Sequence, residues 1–218
     1  MPKQFDLIVF DWDGTLANST QMIVDCMREA SADAGLPVPD PVAASHIIGL
    51  GLVEAVRTLF GELSDTQFQQ LVSRYRYHYY ARDEDTPLFD GVRDAIDDLS
   101  EAGFMLAVAT GKGRNGLNKS LQRSGLDQYM LATRCVDECH SKPHPQMLHE
   151  LMDELGASPE RTLMIGDTSF DLQMATNANV ASLAVTYGAH PEAELKKHNP
   201  LACFDRFAAL NQWLVQHA

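Results

Sequence analysis

Residues 5–15 read Phe-Asp-Leu-Ile-Val-Phe-Asp-Trp-Asp-Gly-Thr. The apolar run ending at Phe10 has the length of one strand, and its near-continuous hydrophobicity is that of a parallel-sheet strand covered on both faces. It ends on two acids, Asp11 and Asp13, with Gly14 free to turn the chain sharply just beyond them. Outward from this stretch, further apolar runs stand at 104–110, 130–136, 162–166 and 181–186. Helical patterns fill the gaps at about 91–102, 115–124, 144–155 and 170–178, with Pro145 and Pro159 in first-turn or breaker positions. Strands alternating with helices predict an α/β fold with a doubly wound, Rossmann-like parallel sheet.

The alternation is interrupted once. About seventy residues between the first strand and the helix near Gly91 carry no strand pattern, and a structureless loop of that length would be anomalous. Helical patterns at about 19–34, 41–47, 51–60 and 64–82, punctuated by Gly35, Pro37, Pro39 and Gly61, predict an inserted all-helical cap. The expected division is therefore a core of residues 1–16 and 87–218 and a cap of residues 17–86. The aromatic run Tyr75-Arg-Tyr-His-Tyr-Tyr80 is expected to pack the insert rather than to stack on bases.

Composition narrows the function. The 218 residues carry 17 basic and 30 acidic side chains, a net charge of -13, which argues against an extended nucleic-acid or anionic membrane surface. No apolar stretch approaches the ~18 residues of a membrane span, and no export signal is evident, so a cytoplasmic protein is expected. Cys26, Cys135, Cys139 and Cys203 are scattered as reduced thiols would be. The expected partner is a small phosphorylated metabolite, and the expected state a monomer or weak homo-oligomer.

Chemistry gathers at the strand ends, where open α/β sheets bind ligands. Asp11 and Asp13 lie on one side of the first strand, and two like charges so close call for a cation between them. With a divalent ion present, one can act as an ionised nucleophile and the other as a proton shuttle; the alternative is an Asp-Gly turn with a solvated acid. The second strand ends in Thr110-Gly111-Lys112 before a helix, a place suited to phosphate, although Thr110 can also simply cap that helix. Gly111-Lys-Gly113-Arg-Asn-Gly116, with Asp137 downstream, also matches a dinucleotide-binding pattern, but it is not in the first βα turn and leaves the acids unexplained. After the third strand, Ser141-Lys142-Pro143-His144-Pro145 offers a lysine as a point charge for phosphate. The neighbouring Cys135, Cys139, His140 and His144 fit no standard zinc spacing. The fourth strand ends in Gly166-Asp-Thr-Ser-Phe-Asp171, whose two acids are hard oxygen donors suited to Mg2+ or are helix caps.

In order, DWDGT at 11–15, VATGK at 108–112, SKPHP at 141–145 and GDTSFD at 166–171 resemble the four motifs of the haloacid dehalogenase superfamily. The helical insert resembles the small cap of the subfamily that includes phosphoglycolate phosphatases. That resemblance implies that Asp11 attacks phosphorus and that Asp13 protonates the leaving oxygen and then activates water. It implies that Thr110 and Lys142 hold the phosphoryl group and that Asp167 completes a magnesium site with Asp11 and Asp13. Asp171 would support the metal or Lys142, and Gly111, where many relatives carry Asn or Ser, would contribute only its backbone amide. Members that cleave carbon–halogen bonds lack an acid at the position of Asp13. The segment His46-Ile-Ile-Gly49-Leu-Gly51 resembles the specificity loop, so His46 and Gly49 are expected near substrate, with Arg114 or Arg57 adding positive charge. A sugar-phosphate mutase, a pyrophosphatase or nucleotidase on the same core, and a phospho-receiver module are the alternatives.

Overall fold

The computed structural model describes residues 3–83 and 86–217. The ends of the expected core, residues 1, 2 and 218, and residues 84 and 85 of the expected cap lie outside the described residues. Six parallel strands form one sheet in the order β3-β2-β1-β4-β5-β6. They are β1 (Leu7–Phe10), β2 (Met105–Thr110), β3 (Met130–Cys135), β4 (Thr162–Gly166), β5 (Ala181–Val185) and β6 (Cys203–Phe204).

β1 is central because its side chains suit two cores at once. Ile8 and Phe10 pack on one face with Ile96 and Leu99 of α5 (Val92–Glu101), Leu117 of α6 (Arg114–Ser124) and Leu210 of α10 (Phe207–His217). Leu7 and Val9 point to the other face, against Met147 and Leu151 of α7 (Gln146–Leu155) and Met174 of α8 (Ser169–Asn177). Fully burying each such side chain contributes about 1.5–3 kcal/mol, which holds strand order and register together. The order reverses between β1 and β4, and such a reversal opens a crevice at the strands' carboxyl ends.

The helices between β1 and α5 are α1 (Thr20–Asp33), α2 (Pro41–His46), α3 (Leu52–Phe60) and α4 (Asp65–Tyr80). They share a core of their own around Met27, Ala30, Ile47, Val56 and Leu71. A reciprocal cap between Ser64 and Gln67 starts α4, satisfying amides that would otherwise be unpaired. The tyrosine run divides by helical spacing: Tyr75 and Tyr79 turn inward with ring centroids 5.6 Å apart, whereas Tyr77 and Tyr80 face solvent.

No element is expected beyond residue 186 from the sequence, and there the structure adds α9 (Glu192–Leu195), β6 and α10. All four cysteines are free thiols. No helix of the described residues is long and apolar enough to cross a membrane.

Candidate active site

Asp11 continues the edge of β1, its amide donating to the Ile165 carbonyl at 2.9 Å. The chain then turns: Leu16 and Ala17 both donate back to the Trp12 carbonyl, at 3.0 and 2.9 Å. Gly14 sits at φ +88°, and a Cβ there would fall on the Asp167 carboxylate, so the turn brings backbone directly against the end of β4. Thr15 Oγ1 donates to Asp167 Oδ1 at 2.9 Å, and the Ala189 amide to Oδ2 at 2.7 Å. Two distant chain segments thereby fix one buried carboxylate.

Asp171 has two tasks. Its Oδ2 accepts from the Thr168 amide at 3.1 Å and the Thr168 hydroxyl at 2.6 Å, closing a capping box at the start of α8. Its Oδ1 accepts from Lys142 Nζ at 2.6 Å, and the same ammonium reaches Asp11 Oδ1 at 2.6 Å. Lys142, whose peptide bond to Pro143 is cis, is thus a fully buried bridge between the two acids.

Oxygens of Asp11, Asp167 and Asp171 lie within 4.8 Å of one another. Three carboxyl groups face the single positive charge of Lys142. Burial pushes the Asp11 carboxyl up to about 7, with Lys142 opposing and the charge of Asp171 reinforcing the rise. Burial, then the charges of Asp11 and Asp171, hold Asp167 well above the usual carboxylate range. Burial alone would lower Lys142, but the attraction of Asp11 and Asp171 outweighs it and leaves the amine above its ordinary range. Asp11 Oδ2 is buried without a hydrogen-bond partner. An orphaned hard oxygen within an excess of buried negative charge is the donor set that a divalent cation such as Mg2+ fits.

Asp13 is held differently. Ser19 Oγ donates to its Oδ1 at 2.8 Å, and Lys112 Nζ stands 3.6 Å from the same oxygen. Its carboxylate is not part of the three-acid cluster, whereas Asp171 is, so the acids brought together are Asp11, Asp167 and Asp171 rather than Asp11, Asp13 and Asp167. Asp11 and Asp13 both line a cavity of about 670 Å³ between the sheet edge and the helical insert. Thr110 lies on its wall with the hydroxyl oxygen accepting from the Lys112 amide at 3.1 Å, which leaves the hydroxyl proton available to an anion.

At Gly111 the insert lies close against the core. A Cβ there would come 2.6 Å from the Gly49 carbonyl and 2.7 Å from that of Leu50. Gly49 lines the cavity. His46 does not: it stacks on His190 with centroids 4.5 Å apart, and its carbonyl bonds His190 Nε2 at 3.1 Å. Nor does Arg114, which is turned toward Glu138, with contacts of 2.8 and 2.6 Å, and toward Thr133. Arg57 pairs with Glu62 at 3.5 Å.

The dinucleotide pattern fails on geometry. Both oxygens of Asp137 accept from the Arg114 amide, at 3.0 and 3.1 Å, and so occupy the helix N-terminus where a pyrophosphate would have to sit. Cys135, Cys139, His140 and His144 form no metal-ligating cluster among the described residues. Burial pushes the Cys135 thiol up to about 12, far from a metal-binding thiolate.

Sequence reasoning missed Thr15, Ser19 and the inward turn of Lys112, whose ammonium pairs with Asp83 at 3.0 Å. Thr15 and Ser19, so close to the acid pair, carried the only available signal.

The profile of the haloacid dehalogenase-like hydrolase family matches residues 8–185. The chain is 34% identical to the probable phosphatase IndB of Dickeya dadantii over 93% of its own length and 90% of that protein's. It is 30% identical to a phosphoglycolate phosphatase of Agrobacterium fabrum, over 96% and 92% of the two chains. The solved structure of a predicted phosphoglycolate phosphatase from Haemophilus somnus superposes with a TM-score of 0.84 at 26% identity, covering 97% of this chain and 99% of the other.

Proposed function

The chain belongs to the haloacid dehalogenase-like hydrolases, and from that premise we propose that it is a Mg2+-dependent phosphatase that hydrolyses a small phosphomonoester through an aspartyl-phosphate on Asp11. The observation that carries the reading is the contrast between two neighbouring acids on one cavity. Asp11 presents a buried, unpartnered Oδ2, while Asp13 is held by the Ser19 hydroxyl.

Asp11 and Asp167 would hold the metal, with Asp171 beside them and Asp13 next to the site. Bound there, Mg2+ supplies positive charge that keeps Asp11 ionised and offsets charge on the phosphoryl oxygens. Thr110 and Lys142 orient the phosphoryl group. A carboxylate oxygen of Asp11 attacks phosphorus, the bond from phosphorus to the leaving oxygen breaks, and Asp13 gives that oxygen a proton. Asp13, now a carboxylate, takes a proton from water, whose oxygen attacks phosphorus and releases Asp11. The insert, residues 17–86, serves as the cap that excludes water and selects the leaving group, with the Gly49 loop pressed on Gly111.

A cavity of about 670 Å³ suits a small ester, and phosphoglycolate is the substrate named for the Agrobacterium relative. Four free thiols suit a cytoplasmic setting.

The test is a panel of phosphate esters and pyrophosphate assayed with Mg2+ and with a chelator, using wild type and Asp11→Asn in parallel. Metal-dependent phosphate release from at least one ester is expected, with a loss of several powers of ten in the variant. Activity of Asp11→Asn near wild type would overturn the nucleophile. Return of phosphate to another position of the substrate would mark a mutase instead.

A further inference from the structure

Positive charge for the part of a substrate beyond phosphorus does not come from Arg114 or Arg57, which pair with Glu138 and Glu62 and do not line the cavity. Two other cations do line it, Lys112 and Arg76. Lys112 is already spent, its ammonium 3.0 Å from Asp83 and 3.6 Å from Asp13. Arg76 pairs with no acid among the described residues. Arg74, two positions earlier on α4, is held by Asp33 at 2.6 Å and stays outside the cavity.

Helical spacing explains why the two arginines differ. Tyr75, Arg76, Tyr79 and Tyr80 all line the cavity, and as residues i, i+1, i+4 and i+5 they form one face of α4. Tyr75 and Tyr79 stand inward on that face, while Arg76 and Tyr80, exposed yet lining the cavity, stand at its mouth. In a chain of 30 acidic and 17 basic residues, the guanidinium at this mouth is left free to meet an anion from solution. The other charged residues of the wall are acids, Asp13, Glu54 and Asp137 among them. A leaving group with a negative charge of its own would be repelled there unless a cation received it.

Taking the phosphatase reading above as given, we propose that Arg76 is a specificity residue whose guanidinium receives a second anionic group, a carboxylate or a second phosphate, on the leaving part of the substrate. A planar fork of donors suits either group. The enzyme therefore prefers esters whose leaving group is charged to uncharged esters of the same shape.

The experiment uses two matched pairs of esters with Mg2+ present. Phosphoglycolate is compared with its primary amide, and ethylene glycol bisphosphate with the monophosphate; the first pair reads a carboxylate and the second a phosphate. A charge-assisted hydrogen bond corresponds to ~10–100-fold in affinity, so wild type should prefer the charged member of at least one pair by that factor in kcat/KM. Arg76→Met should erase the preference by raising KM for the charged ester, with kcat nearly unchanged and the uncharged ester within about threefold of wild type. Arg76→Lys keeps the charge without the fork and should fall between the two. Arg74→Met removes the same charge from the same helix outside the cavity, and should leave the preference intact.

No preference in wild type, equal losses on both members of a pair in Arg76→Met, or the same selective loss in Arg74→Met would overturn the assignment. So would a wild type that hydrolyses other esters and neither charged one. Wild type inactive on every ester would instead sink the phosphatase reading itself.

Discussion

Removing metal should make this protein less stable as the solution becomes more alkaline, and Asp11 should carry much of that slope. Its carboxyl rises from 3.8 in the unfolded chain to about 7 in the folded one, burial being the main cause. A raised carboxyl means that the folded state binds its proton more tightly. Between those two values the unfolded chain is already ionised while the native site resists ionisation, so stability falls with rising pH across that window. At about 1.4 kcal/mol per pH unit, the change from about pH 5 to about pH 7 amounts to roughly 2–3 kcal/mol from this group. For a chain of this length that corresponds to a fall in Tm of roughly 4–12 °C. Asp167, also raised by burial and by its acidic neighbours, adds to the fall with the same sign. Thermal melts in excess chelator at a series of pH values should therefore show a slope for wild type that is markedly shallower for Asp11→Asn, with the variant melting higher than wild type above about pH 7. Saturating Mg2+ should restore wild type above that pH, do little near pH 5 and have little effect on the variant. Parallel slopes for wild type and Asp11→Asn in chelator would refute the crowded-carboxylate account.

Three substitutions test other parts of the site. Gly111→Ala would place a methyl 2.6 Å from the Gly49 carbonyl, so the loop must withdraw by several tenths of an ångström. Such overpacking costs ~1–3 kcal/mol, which should appear as a ~5- to 150-fold fall in kcat/KM with little change in Tm. Wild-type kcat/KM would show that closure does not use this contact. Gly14→Ala combines a left-handed backbone with a collision on Asp167, so the variant should lose stability and Mg2+ affinity together, measured by melting and by calorimetric titration. Normal affinity would refute the role given to this turn. Lys142→Met leaves Asp11 and Asp171 buried without their shared cation, and urea unfolding in chelator should show a loss of about 3–5 kcal/mol. A loss under about 1 kcal/mol would mean that the acids are already neutral there.

The five longer strands were legible because each is an apolar run punctuated by turn residues, and the two-residue β6 was not, since Cys203–Phe204 makes no pattern. Asp11, Asp167 and Asp171 were legible for a related reason: an acid directly after a buried strand, or in the first turn of the next helix, has little freedom over where it goes. Side chains with long stems are less constrained. Nothing local says that Arg114 turns to Glu138 rather than to the cavity, or that Lys112 turns inward to meet Asp83 from across the insert. Those outcomes depend on partners distant in sequence, which become visible only when the chain is folded. His46 was drawn away from the cavity by stacking on His190, a contact that its own segment does not foreshadow.

The most direct test of the central claim is to quench the enzyme with acid during turnover of a phosphate ester with Mg2+ and to map the digested protein by mass spectrometry. The account predicts one phosphoryl group on the peptide containing Asp11, lost on brief exposure to alkali and absent from Asp11→Asn. A wild-type enzyme that turns over without any such adduct, or an adduct that persists in Asp11→Asn, would contradict it.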